Sequence, residues 1–381
     1  MRGSSADGDT MTDLTYDPFA HGPHPVGVRT IELSDAALSP RPVPTEIWYP
    51  AAAAHLGKDL DPANWDRYTA APGLPLMTQQ ALRDADAAAG TYPLFMYFHG
   101  GYGQRREASH LCTHLASHGY VAASANFPGD NMADLIPVDG AEATVTKAPI
   151  DESARRRPAQ ASRFIDLLLE ASLTGMQLDA NRIGVGGISM GGYTALAINS
   201  LDPRVRAAFP ICPMFGDRSL LPQVWRLQSL LRVDNWLHPV PTLLLTGEVD
   251  PLVNAEDIRV LYTRLATPKR LVVLDKAGHM HFADNAEIGH EWFRKGYLSG
   301  SWPDPEIDAI ALGTAMRPFA ELCTEAQSGG TARGLCLAHM DAHLKGNADA
   351  LAFLDGDLTR TFAAALGVEL DVAGETTTAR A

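Results

Sequence analysis

One stretch, Gly187-Ile188-Ser189-Met190-Gly191-Gly192, constrains the fold of this chain more than any other. It follows the apolar Ile183 and Val185 and precedes Tyr193-Thr194-Ala195-Leu196-Ala197-Ile198, a run that suits a helix. A serine with glycines two residues to either side, set between a strand and a helix, predicts a turn so tight that a Cβ at either glycine would clash. Such a turn requires a buried sheet to carry the strand and helices to cover it.

The rest of the chain supplies that sheet. Leu94-Phe95-Met96-Tyr97-Phe98 is a continuous apolar run, as in parallel strands buried on both faces, and it ends at His99-Gly100-Gly101-Tyr102-Gly103. A helix is expected from Arg105 to Ser117, stopping at Gly119, then a strand over Tyr120–Ala125 and a helix from about Glu152 to Leu173. Val205–Ile211, Pro241–Thr246 and Arg270–Leu274 read as further strands. Upstream, Val26–Leu33 and Pro44–Tyr49 alternate apolar with polar residues around Ser39-Pro40-Arg41-Pro42, an antiparallel pair that opens the sheet. The sum is an α/β chain with a mostly parallel, eight-stranded sheet covered by helices on both faces.

One domain is expected over 24–365, after a poorly ordered 1–23 and before a frayed 366–381. Insertions fall near 127–150, a long loop at the carboxyl edge of the sheet, near 213–240, and near 297–330. The second is read as a helical cap whose Trp225 and Trp236 are, with Tyr102, candidate substrate contacts. Met77–Ala89 and Thr331–Lys345 read as helical, Ser328-Gly329-Gly330 as a polar break, and Arg155-Arg156-Arg157 as a solvated first turn.

A formal net charge of -14 argues against nucleic acid or an anionic membrane as partner. No apolar run is long enough to cross a bilayer, so no membrane insertion is expected. Met1–Ser5 reads as an expression leader and Met11 as a native start, without the apolar centre of a secretory signal, which points to the cytoplasm. Cys112, Cys212, Cys323 and Cys336 lack metal or redox spacing and read as buried or free thiols.

A serine hydroxyl becomes a nucleophile only beside a base, which a carboxylate must in turn orient. Downstream of Ser189, each just past a later strand, the chain offers Asp250 in Thr246-Gly247-Glu248-Val249-Asp250-Pro251, with Glu248 as fallback. It then offers His279 in Asp275-Lys276-Ala277-Gly278-His279-Met280-His281, with His281 as a neighbour. Asp250 is also placed to act as a turn former. Donors for a developing oxyanion are expected from the backbone amides of Met190 and Gly101.

His279-x-His281, His339 with His343 and His110 with His114 lack the further ligands of a metal site, so no metal is expected. No complete phosphate-binding or dinucleotide pattern is present, so no cofactor is expected either.

The elbow Gly187–Gly192, the loop Phe98-His99-Gly100-Gly101, Asp250 and His279 together resemble the α/β-hydrolase superfamily. Val26–Asp35, Arg41-Pro42, Trp48-Tyr49-Pro50 and Ser117-His118-Gly119-Tyr120 resemble the bacterial branch described as predicted dienelactone hydrolases, similar to platelet-activating-factor acetylhydrolases. The likeness runs from Pro25 to Phe282 and resumes at Ala342–Gly346. It implies an α/β-hydrolase fold with a helical cap and a serine carboxylic-ester hydrolase acting through an acyl-enzyme on short-chain or modified acyl esters. True dienelactone hydrolases carry a cysteine nucleophile, whereas this chain has Ser189. Two alternatives are an amidase or peptidase of the prolyl-oligopeptidase type, which shares G-x-S-x-G-G, and a catalytically silent binding protein on the same fold.

Overall fold

The computed structural model describes residues 16–70, 75–135, 149–300 and 306–374. Its strands are β1 Val26–Leu33, β2 Val43–Pro50, β3 Asp66–Thr69, β4 Leu76–Gln79, β5 Leu82–Arg83, β6 Gly90–Phe98, β7 Val121–Ala125, β8 Met176–Ile188, β9 Val205–Ile211, β10 Thr242–Gly247, β11 Lys269–Leu274 and β12 Leu370–Gly374. β3 and β4 form a separate hairpin; the others build one ten-stranded sheet in the order β12-β11-β10-β9-β8-β6-β7-β2-β1-β5. The strands from β11 to β7 in that order are mutually parallel. β2 lies antiparallel to both β7 and β1, and β12 lies antiparallel to β11.

Because side chains alternate along a strand, β6 feeds two cores at once. Phe95 and Tyr97 join one buried cluster with Leu111 and Leu115 of helix Ser109–Ser117 and Leu335 of helix Glu325–Leu344. Leu94, Met96 and Phe98 join the other with Phe164, Ile165 and Leu168 of helix Ile150–Glu170. Each such side chain stabilises the fold by about 1.5–3 kcal/mol through apolar burial. The strand run and its two helical layers match the mostly parallel, doubly covered sheet expected from the sequence.

The departures are at the edges. The eight expected strands are all present, and the sheet adds β5, of two residues, and β12. Elements so short carry no readable periodicity. The chain is accordingly not frayed from 366. Helix Leu358–Leu366 ends on Gly367 at φ 66°, and the backbone returns as β12, pairing Leu370 with Leu274 and Gly374 with Arg270. Nor is 16–23 loose, since the Tyr16 hydroxyl donates to Asp341 at 2.9 Å and the Phe19 ring meets Phe362 edge-on at 5.0 Å. Residues 1–15 and 375–381 lie outside the described residues.

Met77–Ala89, expected as helix, holds β4 and β5 instead. There β4 pairs antiparallel with β3, and the buried Gln79 side-chain amide oxygen accepts from the Trp48 indole at 2.7 Å. The expected break at Ser328-Gly329-Gly330 lies inside helix Glu325–Leu344, which Thr324 caps in a reciprocal box with Gln327. Of the insertions, 136–148 and 301–305 lie outside the described residues. The cap at 213–240 reduces to helix Pro222–Gln228 and the single turn Val233–Asn235.

Candidate active site

The carboxyl ends of four parallel strands of the sheet deliver the candidate residues. Ser189 follows β8, the His99–Gly103 turn follows β6, Asp250 follows β10 and His279 follows β11. Gly187 and Gly191 lie so close to the end of β6 that a Cβ on either would come within 2.3 and 1.8 Å of the Phe98 carbonyl oxygen. Only glycine fits at both places, which is why the motif has its spacing. Ser189 itself holds φ 59° and ψ -118°, a strained setting for a residue with a Cβ. Hydrogen bonds hold it there: its amide donates to Ile211 O at 2.9 Å, and its carbonyl accepts from Tyr193 N at 2.9 Å and Met214 N at 3.2 Å.

Asp250 and His279 are both buried, with Nδ1 of the histidine 2.6 Å from Oδ2 of the aspartate. A carboxylate only accepts, so Nδ1 carries the proton and Nε2 is left as the basic nitrogen. The other Asp250 oxygen accepts from Leu252 N at 2.8 Å and Val253 N at 3.0 Å, so one side chain both forms the turn and orients the ring. Burial pulls the His279 imidazole toward neutrality, but the Asp250 charge and hydrogen bond, with Glu107 behind them, outweigh it and hold its pKa above the ordinary histidine value.

The alternatives are set apart. Glu248 is exposed and accepts from the Lys276 amide at 3.4 Å. His281 is buried, stacked on Phe319 at 4.8 Å, with Nδ1 accepting from Gly278 N at 3.1 Å, and burial takes its pKa down to about 4. It supports the His279 turn from behind.

Gly101 faces Met190, a Cβ on the glycine standing 3.8 Å from Cβ of the methionine. Among the described residues no hydrogen bond engages the amide of Gly101 or Met190, whereas the Tyr102 amide is committed to Asp130 Oδ1 at 3.0 Å. Both expected oxyanion donors are therefore adjacent and unspent.

The turn carrying Gly101 rests on a floor of buried charge. Arg157, read from sequence as solvated, is wholly buried. Its Nε donates to Asp130 Oδ2 at 2.7 Å, Nη1 to His99 O at 2.7 Å and Nη2 to Gly100 O at 2.9 Å. His99 Nε2 accepts from Phe127 N at 3.1 Å, so its Nδ1 donates to Gly100 O at 2.7 Å. Burial and the neighbouring Arg157 charge hold that imidazole down to about 3, hence neutral. Glu107 completes the floor, its Oε2 accepting from Gly100 N at 2.7 Å. Sequence reasoning missed Arg157, Asp130 and Glu107. A signal existed for the first: Arg157 falls in the helical series Ala154, Ala161, Phe164, Ile165 and Leu168, all of them buried.

Ser189, His279, Gly101 and Tyr102 share a cavity of about 640 Å³ with the largely apolar Ile188, Met214, Leu221, Leu252, Phe293 and Ile307. Trp225 and Trp236, expected as substrate contacts, are not among its lining residues. Gln223 and Arg226 of helix Pro222–Gln228 face the cavity, and Trp225 lies on another face of that helix, half exposed. Trp236 packs instead against both cores.

Cys212, Asp250 and His279 bring possible metal-ligating atoms within 4.8 Å of one another, but the Asp250–His279 hydrogen bond already uses two of them. Burial pushes the Cys212 thiol well above its ordinary pKa, which disfavours the thiolate a metal needs. The histidines His110, His114 and His339 each place Nε2 against a backbone carbonyl, of Phe282, Pro18 and Pro241 respectively.

Residues 77–230 match the acetyl xylan esterase family. A cutinase of Thermobifida alba is 26% identical over 197 residues, 51% of this chain and 54% of that protein. A cutinase of Thermobifida cellulosilytica is 26% identical over 199 residues, 51% of this chain and 62% of that protein. The chain thus spans little more than half the length of the curated relatives it matches. A solved ferulic acid esterase from Streptomyces cinnamoneus superposes with a TM-score of 0.56 at 22% identity, covering 85% of this chain and 91% of that one. That likeness shows the fold, an α/β-hydrolase.

Proposed function

We propose that the chain is a serine carboxylic-ester hydrolase working through an acyl-enzyme. The observation that carries this reading is the buried Asp250–His279 pair at 2.6 Å opening onto the same cavity as Ser189 on its strained turn. His279 Nε2 takes the proton of Ser189 Oγ as that oxygen bonds to the ester carbonyl carbon, and the carbonyl electrons move onto the oxygen. The Gly101 and Met190 amides receive the oxyanion, each such donor being worth about 10²–10³ in rate. Asp250 stabilises the imidazolium, which then gives its proton to the departing alcohol. Water repeats the sequence on the acyl-enzyme, releasing the acid and restoring Ser189.

The similarity to acetyl xylan esterases, cutinases and a ferulic acid esterase supports an ester substrate. The apolar lining supports short-chain or modified acyl groups, with small esters as the partner class. No described helix is long and apolar enough to cross a membrane. The four buried, unpaired cysteines favour a reducing compartment, and we place the protein in the cytoplasm on that ground. Rapid mixing with a chromogenic short-chain ester tests the mechanism. The native chain is expected to release a burst of alcohol before steady turnover, and Ser189→Ala is expected to lose the burst and about 10⁶-fold in kcat. Undiminished turnover by that variant would overturn the assignment.

A further inference from the structure

Glu107 has no part in the acyl transfer set out above, yet it lies half-buried in the wall of the cavity that Ser189 and His279 share. Oε2 accepts from the Gly100 amide at 2.7 Å. Oε1 lies 2.6 Å from where a Cβ on Gly103 would stand, so one side chain braces both ends of the turn that carries Gly101. The Glu107 main-chain carbonyl accepts from Asp284 N at 2.8 Å, just past the His279–Phe282 turn. The same residue therefore grips the oxyanion turn through its side chain and the histidine loop through its backbone.

We infer that Glu107 is a positioning residue of this site, fixing the Gly101 amide against Ser189 through the Gly100 hydrogen bond and laying negative charge toward the His279 imidazole. This rests on the esterase reading above. The charged and titratable groups facing Glu107 are Arg157 beneath it, His279 across the cavity, Asp284 beyond the histidine loop and the Tyr97 hydroxyl from β6. Burial raises its carboxyl to about 7, against the opposing pull of the Gly100 hydrogen bond and the Arg157 and His279 charges. Its charge in turn helps hold the His279 pKa up. Removing that charge while keeping an acceptor for Gly100 therefore lowers the His279 pKa, and the active, neutral imidazole persists to lower pH.

Glu107→Gln and Glu107→Ala separate the two contributions. Steady-state kinetics across the acid limb, with a short-chain nitrophenyl ester, are expected to show Ala losing about 10- to 100-fold in kcat with little change in KM, because an oxyanion donor is displaced. Gln is expected to recover at least about tenfold of that loss, since its amide oxygen still accepts from Gly100. Its kcat/KM profile is expected to shift its acid limb to lower pH. Wild-type kcat in the Ala variant, or a Gln variant as slow as Ala with an unmoved acid limb, overturns the inference. Thermal melts and stoichiometric labelling of Ser189 by a fluorophosphonate are run on both variants. A correctly folded, labelled variant locates a failure in Glu107 itself, whereas turnover surviving in Ser189→Ala locates it in the esterase reading.

Discussion

Arg157 holds the turn that carries Gly101, Arg226 lines the cavity that holds Ser189, and the two meet their partners in opposite ways. Arg157, wholly buried, spends all three guanidinium nitrogens on Asp130 and on the His99 and Gly100 carbonyls. Arg226 reaches Glu306 at 3.0 Å with side chains 47% and 50% exposed. Losing one partner of a buried pair costs about 3–5 kcal/mol, while an exposed pair contributes about 0–1 kcal/mol. The side that must hold an oxyanion donor to a fraction of an ångström is thus fixed by buried charge. The side lined by Leu221 and Arg226 is apolar wall and solvent-screened ions, which adjust at little cost.

The largest test of that contrast is Arg157→Met. It leaves the Asp130 carboxylate buried without its cation and the Gly100 carbonyl short of a donor. Urea unfolding is expected to show a loss of about 3–5 kcal/mol, together with a fall in kcat as the turn loosens. A loss below about 1 kcal/mol would mean that the floor is no more rigid than the wall, and the contrast would collapse.

A smaller effect should come from the wall. Leu221 lines the cavity and is only partly buried, packed at the edge of the main core. Leu221→Ala removes apolar contact from the ester without touching the reacting atoms. Its kcat/KM is expected to fall by roughly fivefold, about 1 kcal/mol, for a longer acyl ester, mostly through KM. For an acetate ester it should barely move. An equal loss on both esters would show that the wall positions the chemistry after all.

The same contrast explains what could be foreseen from the amino-acid order. Ser189, Asp250 and His279 each follow an apolar strand, and a residue type at a strand end is a local pattern, so the sequence suffices to place them. The two glycines around Ser189 are legible for the same reason, because a close backbone approach demands the residue itself. Arg157 was misread because a charged residue in the first turns of a helix is ordinarily solvated. Only its burial against β6 and the 127–131 turn, distant in sequence, makes it a floor. Trp225 lies off the cavity lining because composition identifies an aromatic residue but not the face of a short helix it occupies. β12 was missed because an edge strand exists through its partner, here β11, about a hundred residues upstream.

The smallest expected effect is the one that sharpens the contrast most. Arg226→Ala breaks the Arg226–Glu306 pair across the outer wall. With both side chains about half exposed, solvent and salt screen the attraction, and ordering two long side chains offsets much of what remains. Chemical unfolding at low salt is expected to give a difference from wild type within about 1 kcal/mol, and at high salt that difference should vanish. Burial shields the Arg157–Asp130 pair from mobile ions, so the cost of Arg157→Met should persist at both salt levels. If both variants lost their effect together as salt rose, the floor would be hydrated in solution, and the rigidity assigned to the His99–Gly103 turn would have to come from β6 and the helix after Ser189 rather than from buried charge.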